Sequence, residues 1–335
     1  MVLVVTHSRD DHAPSILDEL TARGVRAVRL DTDIHGERSM AAFAVEGGRV
    51  RTRLHIDGHE LDGDDVTAVL YRHLHLREAP LILDSKAREL AESELRATLE
   101  GALLAIDAYW LNHPYANRLA RNKPLQLALA AREGLSVPET RITDDPEEIR
   151  ALHRHWDGAM VAKLVGGQVV APNVDEQYVV HTTLVEEGDL GSDAALAACP
   201  AIYQRRVEKA FDLRVTVVGE RLFTCRIDSQ GSEQGAVDWR EVGPGALPIR
   251  ECELDGDIAG KCLALMRRLG IDFAGLDLIV TPQGETVFLE VNAMGQWLWA
   301  QELTGMPIAS AIVDQLLDGG CGPRSQPSIL APVVK

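Results

Sequence analysis

Two apolar runs near the C-terminal end of the chain each contain an acidic residue, and they strongly constrain the fold. Residues 275–280 and 286–292 flank a short turn at 281–285, a pattern that predicts a β-hairpin. Asp277 lies in the first run and Glu290 in the second. An unpaired buried carboxylate is costly, and Mg²⁺ prefers oxygen ligands, taking one or two carboxylates together with substrate phosphates. The hairpin is therefore predicted to be a platform for Mg²⁺ and a nucleotide.

Composition and charge restrict the classes of protein that fit this chain. Its 335 residues suffice for two or three packed units, and its charged content of 25% is ordinary for a globular protein. The formal net charge is −17, which argues against general nucleic-acid or anionic-membrane binding because both need a basic surface. No apolar run approaches the roughly 18 residues of a membrane span. The five cysteines lack CxxC spacing, so reduced thiols and a cytoplasmic location are predicted.

The N-terminal region has a strand–helix–strand pattern. Residues 2–5 form an apolar run typical of a buried parallel strand, residues 13–23 place apolar side chains on one helical face, and residues 25–30 predict a second strand. Such a βαβ opening favours the α/β class. Further along, the patterns predict helices over 84–109 and 117–133.

Two lysines are candidates for binding phosphate groups. Lys163 lies in an apolar strand and precedes Gly166 and Gly167, whose bare backbone N–H groups can approach phosphates. An edge-strand lysine before an ordinary turn explains the same pattern. Lys123 lies on a predicted helix, where a solvated lysine is the usual case.

A polar segment in the second half of the chain has two interpretations. Residues 204–209 form either a solvated edge strand or a linker whose backbone reads the edge of an adenine. Asp212 and Arg214 share one face of the next predicted strand. They form either a surface ion pair of little value or an arginine that stabilises a transferring phosphoryl group, with Asp212 as a proton acceptor. Whether Arg226 joins that face depends on the hairpin register.

Tryptophans accompany a third arginine in the C-terminal half. Asp238, Trp239 and Arg240 lie in a glycine-rich loop, which either is anchored by its tryptophan or contacts substrate. Trp297 and Trp299 follow the acidic hairpin directly and form either core or a wall of the site.

Several longer strings occur in a fixed order along the chain. They are LNHP (111–114), RNK (121–123), DLRVTVVG (212–219), IDSQ (227–230), DWR (238–240), FLEVN (288–292) and GQWLW (295–299). Together with the lysines and glycines above, this order resembles the ATP-grasp superfamily over nearly the whole chain. The specific strings resemble the graspetide synthetases, the microviridin-type branch that makes macrocyclic ω-ester or ω-amide peptides.

The resemblance implies a fold and a set of site residues. The fold is α/β (α+β): an N-terminal Rossmann-like pre-ATP-grasp domain (1–114), a small central domain (115–200), a C-terminal antiparallel-sheet domain (201–318) and a flexible tail (319–335). The implied Mg²⁺ ligands are Asp277, Glu290 and Asn292, and the implied catalytic residues are Arg214, Asp212 and Arg240. The implied ATP-binding residues are Lys123, Lys163, Gly166, Gly167, Gln204, Arg206 and Val207.

The resemblance also implies a reaction and a partner. Relatives of this type phosphorylate a Glu or Asp side chain of a ribosomal precursor peptide. A Thr or Ser hydroxyl, or a Lys amine, of the same peptide then attacks the acyl phosphate. The expected partner is a precursor with a leader and an acidic core, with no nucleic acid or membrane, and relatives predict a homodimer. From the acidic net charge, Arg205, Arg206, Arg214, Arg226 and Arg240 are predicted to form a basic cleft for that core.

Two alternatives remain from the sequence. One is a ligase that joins free amino acids to a peptide or protein carboxylate, like the glutamate ligases that modify a protein C-terminus. It shares the predicted metal and lysine residues, whereas the DWR and GQWLW strings favour the graspetide branch. The other is a catalytically silent peptide-binding scaffold, which the intact metal trio disfavours.

Overall fold

The computed structural model describes residues 1–34, 39–76, 84–166, 169–173, 176–232 and 235–321. The chain divides into two compact units, which are described separately. The first contains residues 1–116, 271–273 and those from 307 onward, and the second contains residues 117–270 and 274–306. The predicted three-domain division stays a prediction.

The first unit is built on a parallel sheet with the strand order β2-β1-β6-β7. Its strands are β1 (Val2–Thr6), β2 (Ala27–Asp31), β6 (Ala68–Tyr71) and β7 (Tyr109–Leu111). All five residues of β1 are buried, as its unbroken apolar run predicts. Helix α1 (His12–Ala22) connects β1 to β2, so the predicted βαβ opening is present.

A small antiparallel sheet completes the first unit. It consists of β3 (Ser39–Glu46), β4 (Arg49–Ile56) and β5 (His59–Asp62). Helix α2 (Ser85–Leu104) packs against β3 and β4. The predicted helix over 84–109 therefore ends early: residues 105–108 lead to β7, and only Tyr109 lies in that strand.

The second unit contains a four-stranded sheet with the order β12-β9-β13-β8. Its strands are β8 (Thr140–Thr143), β9 (Met160–Lys163), β12 (Thr183–Leu184) and β13 (Ala201–Arg205). Helices α5 (Pro146–His155) and α6 (Asp193–Leu196) accompany it, and β10 (Val169–Asn173) pairs with β11 (Glu176–Val179) as a separate hairpin.

A five-stranded sheet forms the larger part of the second unit, in the order β16-β15-β14-β17-β18. Its strands are β14 (Phe211–Val218), β15 (Arg221–Ile227), β16 (Ile249–Glu251), β17 (Phe273–Val280) and β18 (Thr286–Asn292). Strands β17 and β18 are the predicted acidic hairpin. Helices α7 (Gly256–Leu269) and α8 (Leu298–Thr304) lie in the same half of the chain.

The predicted helix over 117–133 is wrong as a single element. The structure has α3 (Pro114–Ala120) and α4 (Lys123–Arg132) instead. Asn122 separates them, and its side chain caps α4 by accepting a hydrogen bond from the Leu125 amide at 3.0 Å. Pro124 has no N–H to donate to a preceding helix, so it favours a fresh start. Lys123 therefore stands at a helix N-terminus.

The closing helix of the first unit, α9 (Ile308–Cys321), contacts α1, β6 and β7. It includes residues 319–321, the first three residues of the segment predicted to be a flexible tail. Residues 322–335 lie outside the described residues. In the part of the chain that the structure describes, no helix is both long and apolar enough to cross a bilayer.

Candidate active site

A pocket in the second unit contains most of the predicted site residues. It encloses about 690 Å³ of space that is open to solvent, a size in the range of small-molecule sites. Val161, Ile279 and Leu289 supply apolar wall. The pocket is also lined by nine charged side chains: Lys163, Arg205, Arg206, Lys209, Asp212, Asp238, Arg240, Asp277 and Glu290.

The two predicted acidic residues of the hairpin face each other across neighbouring strands. Asp277 of β17 is the register partner of Glu290 of β18, and the ladder shifts directly afterwards, so that Leu278 pairs with Phe288. Leu289 is therefore the extra residue of a β-bulge. Neighbours on a regular strand face opposite sides, yet both Leu289 and Glu290 line the pocket.

Three cations surround this acidic pair. Arg240 Nη1 lies 2.7 Å from Glu290 Oε1 and 3.6 Å from Asp277 Oδ2. Arg214 Nη1 lies 2.9 Å from Asp277 Oδ1, and Lys123 Nζ lies 3.5 Å from Glu290 Oε2. Both carboxylates are thereby kept inside the protein at a tolerable electrostatic cost.

The environment separates the pKa values of the two carboxyls. Burial raises the pKa of Asp277, against the opposing charges of Arg214 and Arg240. Burial acts the same way on Glu290, but there the charges of Arg240 and Lys123 prevail and lower its pKa. Two carboxylates held this close do not ionise independently. Glu290 is thus the member of the pair that ionises first.

Asn292, the third predicted metal ligand, lies two residues beyond Glu290 on β18 and is exposed. Its Oδ1 accepts a hydrogen bond from the Met294 amide at 3.1 Å. Among the described residues, no three His, Cys, Asp or Glu side chains are arranged to hold a metal ion. The predicted trio has only two carboxylates, with an amide as its third oxygen donor.

Arg214 fits into a slot formed by two glycines. A Cβ atom at Gly275 would lie 2.2 Å from Arg214 Nη2, and one at Gly295 would lie 2.6 Å from the same nitrogen. The guanidinium also donates to the Gln296 carbonyl at 3.2 Å. The chain thus brings its backbone against Arg214 at the two places where no side chain intervenes.

Asp212 is buried in a second charged cluster. Lys209 Nζ lies 2.8 Å from Asp212 Oδ2 and 2.9 Å from Oδ1, and the Ser229 hydroxyl donates to Oδ2. Burial raises the pKa of Asp212, while Lys209 and Ser229 oppose the rise.

The predicted phosphate-binding segment is described only in part. Lys163 ends β9 and lines the pocket, and burial lowers its pKa to about 8. Gly166 follows β9 with open space around its Cα, whereas Gly167 lies outside the described residues. Lys123 reaches this segment by donating to the Leu164 carbonyl at 3.1 Å.

The predicted adenine linker lies along one wall of the pocket. Gln204 of β13 is 2% exposed, and its Nε2 donates to Thr140 Oγ1 at 3.0 Å. Its Oε1 has no hydrogen-bond partner among the described residues. Arg206 and Val207 follow along the same wall. A buried acceptor without a donor inside a pocket is a natural site for a ligand N–H.

The loop arginine is held by the aspartate two residues before it. Arg240 Nε donates to Asp238 Oδ1 at 2.8 Å, and Arg240 Nη2 donates to Oδ2 at 2.9 Å, which is the bidentate geometry that guanidinium and carboxylate favour. Trp239 packs against Trp299 with ring centroids 5.4 Å apart and ring planes tilted by 55°. Trp297 is buried core, so of the three tryptophans only Trp239 lines the pocket among the described residues.

The prediction that five arginines share one cleft is wrong for Arg226. The register pairs Leu213 with Arg226, and Cys225 with Arg214. Partners across an antiparallel pair share a face, so Arg226 lies on the face opposite Asp212 and Arg214. It stacks instead over the Phe211 ring at 3.7 Å.

Known proteins are similar to this chain in sequence and in fold. A family model described as the MvdD pre-ATP grasp domain matches residues 1–118. The solved structure of a RiPP-associated ATP-grasp ligase from Chryseobacterium gregarium, in complex with ADP and a leader and core peptide, is 31% identical in sequence. It superposes with a TM-score of 0.87 and covers 96% of this chain and 97% of its own. The protein belongs to the graspetide-type ATP-grasp ligases.

Further relatives agree with this family. The macrocyclase MdnC from Microcystis aeruginosa, solved with its precursor peptide MdnA, is 28% identical with a TM-score of 0.83. The match covers 95% of this ATP-grasp ligase and 99% of MdnC. A curated relative, a probable alpha-L-glutamate ligase from Klebsiella pneumoniae (strain 342), is 29% identical over 210 residues, 62% of this chain and 67% of that protein. The fold class is thus confirmed, and the protein is an ATP-dependent ligase.

Three site residues of this ATP-grasp ligase were not predicted as such. Lys209 and Ser229 bind Asp212, and Asp238 positions Arg240. Ser229 and Asp238 lie inside the strings IDSQ and DWR, and Lys209 ends the polar segment 204–209. The sequence did not show which of these side chains contact each other. At the start of a strand, a spacing of three residues between Lys209 and Asp212 does not predict a contact.

Proposed function

We propose that this protein is an ATP-dependent macrocyclase of a ribosomal precursor peptide. It phosphorylates a Glu or Asp side chain of the peptide to an acyl phosphate. A Thr or Ser hydroxyl then closes an ω-ester, or a Lys amine closes an ω-amide. The observation that carries this proposal is the near full-length match to a ligase solved with a leader and core peptide.

The pocket residues fit ATP and Mg²⁺. Asp277 and Glu290 face each other on adjacent strands, Asp277 Oδ2 is buried without a hydrogen-bond donor among the described residues, and carboxylate and amide oxygens are the donors that Mg²⁺ prefers. Asp277, Glu290 and Asn292 would hold the ion. When bound, Mg²⁺ supplies charge neutralisation between the phosphates.

The other predicted ATP-binding residues have separate tasks in this proposal. Lys123, Lys163, Gly166 and Gly167 bind phosphate oxygens, and Gln204, Arg206 and Val207 bind the adenine side of the nucleotide.

At the reacting end, Arg214 and Arg240 place fixed positive charge beside the acyl group, where negative charge grows as phosphate is transferred. Asp212 accepts the proton of the attacking hydroxyl. Since both reacting groups belong to one bound peptide, their effective concentration is high.

The experiment uses the purified protein, ATP, Mg²⁺ and synthetic peptides encoded by short reading frames beside its gene. We expect the peptide to lose one water per ring, with one ADP formed for each ring. Tandem mass spectrometry then locates the ester or amide. Unchanged peptide from every neighbouring frame, with ATP intact, would contradict the proposal.

The alternative is a ligase that adds amino acids to a peptide or protein carboxylate, and the similarity to a protein named a probable alpha-L-glutamate ligase favours it. The same assay separates the two, because addition of glutamate increases the mass of the peptide and ring closure decreases it.

We also propose that the protein is a cytoplasmic homodimer. Light scattering on the eluted protein tests the dimer, and cell fractionation tests the location.

A further inference from the structure

Lys209 is held inside the pocket by two hydrogen bonds and an ion pair. Its side chain is 7% exposed. Its Nζ donates to Asp212 Oδ1 at 2.9 Å and to the Val237 carbonyl at 3.2 Å, and it lies 2.8 Å from Asp212 Oδ2 as an ion pair. Lys209 therefore joins β14 to the loop that contains Arg240.

Asp212 still has room for one more donor. Its carboxylate offers about four acceptor positions. Lys209 donates to Oδ1 and lies beside Oδ2 as an ion pair, and the Ser229 hydroxyl donates to Oδ2, so at least one position remains. Asp212 is 3% exposed but lines the pocket, so the remaining position is available to a ligand there. Lys209 and Ser229 together restrict the rotation of the carboxylate.

This cluster is distinct from the cations on the acidic hairpin. Arg214, Arg240 and Lys123 pair with Asp277 and Glu290. In the part of the chain that the structure describes, Lys209 pairs with Asp212 alone. The pocket thus contains one charged group suited to phosphates and a second one organised around a single carboxylate.

The two halves of the proposed reaction need different chemistry. A carboxylate oxygen is already a nucleophile, so its phosphorylation needs cations and no base. A hydroxyl is a weak nucleophile, so its attack on the acyl phosphate gains from a base. We propose that Lys209 is the positioning residue of ring closure, holding Asp212 where its carboxylate accepts the proton of the attacking hydroxyl. This inference rests on the proposed function.

Ring closure forms two bonds and breaks two. The hydroxyl oxygen forms a bond to the carbonyl carbon of the acyl phosphate, and its O–H bond breaks. The proton passes to the free acceptor position of Asp212. The bond between the carbonyl carbon and the phosphate oxygen breaks, and its electron pair leaves with inorganic phosphate.

The test compares ATP consumption with ring formation in Lys209→Met and Lys209→Gln. Loss of the ammonium group should slow ring closure about tenfold to a hundredfold, while phosphorylation, which needs no base, slows less. Acyl phosphate that waits is hydrolysed, so the amount of ADP formed per ring rises above the wild-type ratio. Lys209→Arg keeps a charged donor and should restore the ratio at least in part.

Lys261→Met is the matched control, because Lys261 pairs with Asp257 on the surface of α7. It should leave the ratio unchanged. Equal losses of ADP and ring in both Lys209 variants would overturn the inference and make Lys209 merely structural, and the glutamine variant serves if the methionine variant does not fold. A wild-type protein that closes no ring overturns the proposed function and the inference together, whereas an unchanged ratio in active variants overturns the inference alone.

Discussion

At the scale of single residues, Glu290 is a pocket position at which substitution is expected to lower turnover strongly. It lies opposite Asp277 and touches both Arg240 and Lys123. We expect Glu290→Ala to lower turnover by about a hundredfold or more, since the phosphates lose a ligand for their counter-ion. The fold should remain, because Asp277 still pairs with Arg214 and Arg240.

The control for this variant lies on the same hairpin. Glu285→Ala removes an exposed carboxylate of the turn that binds Ser136. Steady-state rates of both variants test the loss of turnover, and thermal unfolding tests whether the fold remains. Retained ATP-dependent dehydration in Glu290→Ala would refute the assignment.

Arg214 is expected to contribute more to phosphate transfer than to the binding of the peptide. Arg214→Ala should lower turnover far more than it weakens precursor binding, because positive charge placed where charge develops stabilises the transition state preferentially. Rates compared with peptide affinity from calorimetry provide the measurement. Equal losses in both would mean that Arg214 only docks the peptide.

The glycine slot gives an independent test of the same side chain. In Gly275→Ala the new methyl group would lie 2.2 Å from Arg214 Nη2, so the guanidinium must move. We expect turnover to fall towards that of Arg214→Ala. Gly260→Ala is the matched control, because open space surrounds Gly260 on α7 and alanine favours a helix there by about 1 kcal/mol. Wild-type turnover in Gly275→Ala would show that the position of Arg214 is unimportant.

Single residues also show how far sequence reasoning extends. The alternation of a strand correctly placed Asp212 and Arg214 on one face. It left Arg226 open, because the face of a residue across a hairpin depends on register. The bonds of Arg240 to Glu290 and of Lys209 to Asp212 depend on how a loop folds back over a sheet, and local patterns contain no information on that.

At the scale of elements, the acidic hairpin was predictable because its two apolar runs and its turn are local signals. Strands β17 and β18 contain both predicted runs. The bulge at Leu289 was not predictable, since a bulge is a property of the pairing between strands. The break between α3 and α4 had its signals in Asn122 and Pro124, but the apolar pattern continues across it.

Helix α4 makes the cap residue Asn122 a test of the nucleotide site. Asn122→Ala removes the bond to the Leu125 amide, which should lower the free energy of unfolding by about 1 kcal/mol. It should also raise the KM for ATP, because Lys123 is the first residue of the helix.

Asp145→Ala provides the comparison for the cap. Asp145 caps α5 by binding the Glu147 amide, so its loss should cost a similar free energy and leave the KM for ATP unchanged. Chemical unfolding and ATP titration measure the two quantities. A KM that rises equally in both variants would show a general loss of stability.

At the scale of the whole molecule, the buried His12 and the half-buried His73 of the first unit should govern stability in mild acid. Burial lowers the pKa of His73 to about 4 and that of His12 to about 3, with Arg72 adding to the effect and Asp10 opposing it. The rings of His7 and His75 lie 5.1 and 5.5 Å from that of His73. Both neighbouring rings add to the lowering of the pKa of His73.

These lowered pKa values determine the direction in which stability changes with pH. Between pH 6.5 and 4 the unfolded chain binds more protons than the folded one, so stability falls as pH falls, by at most about 1.4 kcal/mol per pH unit for each histidine. Urea unfolding across this range should show a shallower slope in His73→Gln. Identical slopes in the variant and the wild type would contradict the prediction.

The whole chain also shows why net charge is a poor guide to a site. A formal charge of −17 surrounds a pocket in which cations outnumber carboxylates among the lining residues. Composition sums over the entire surface, whereas a ligand meets only the residues that the fold brings together.

The bulge at Leu289 has a practical consequence for redesign. Because of it, an aliphatic side chain and a carboxylate that are adjacent in the chain both line the same pocket. Laboratory evolution towards an altered cosubstrate can therefore vary the aliphatic neighbour freely in shape and bulk while the ionised one stays in place. In a regular strand, two adjacent side chains would face opposite sides of the sheet, and only one of them would line the pocket.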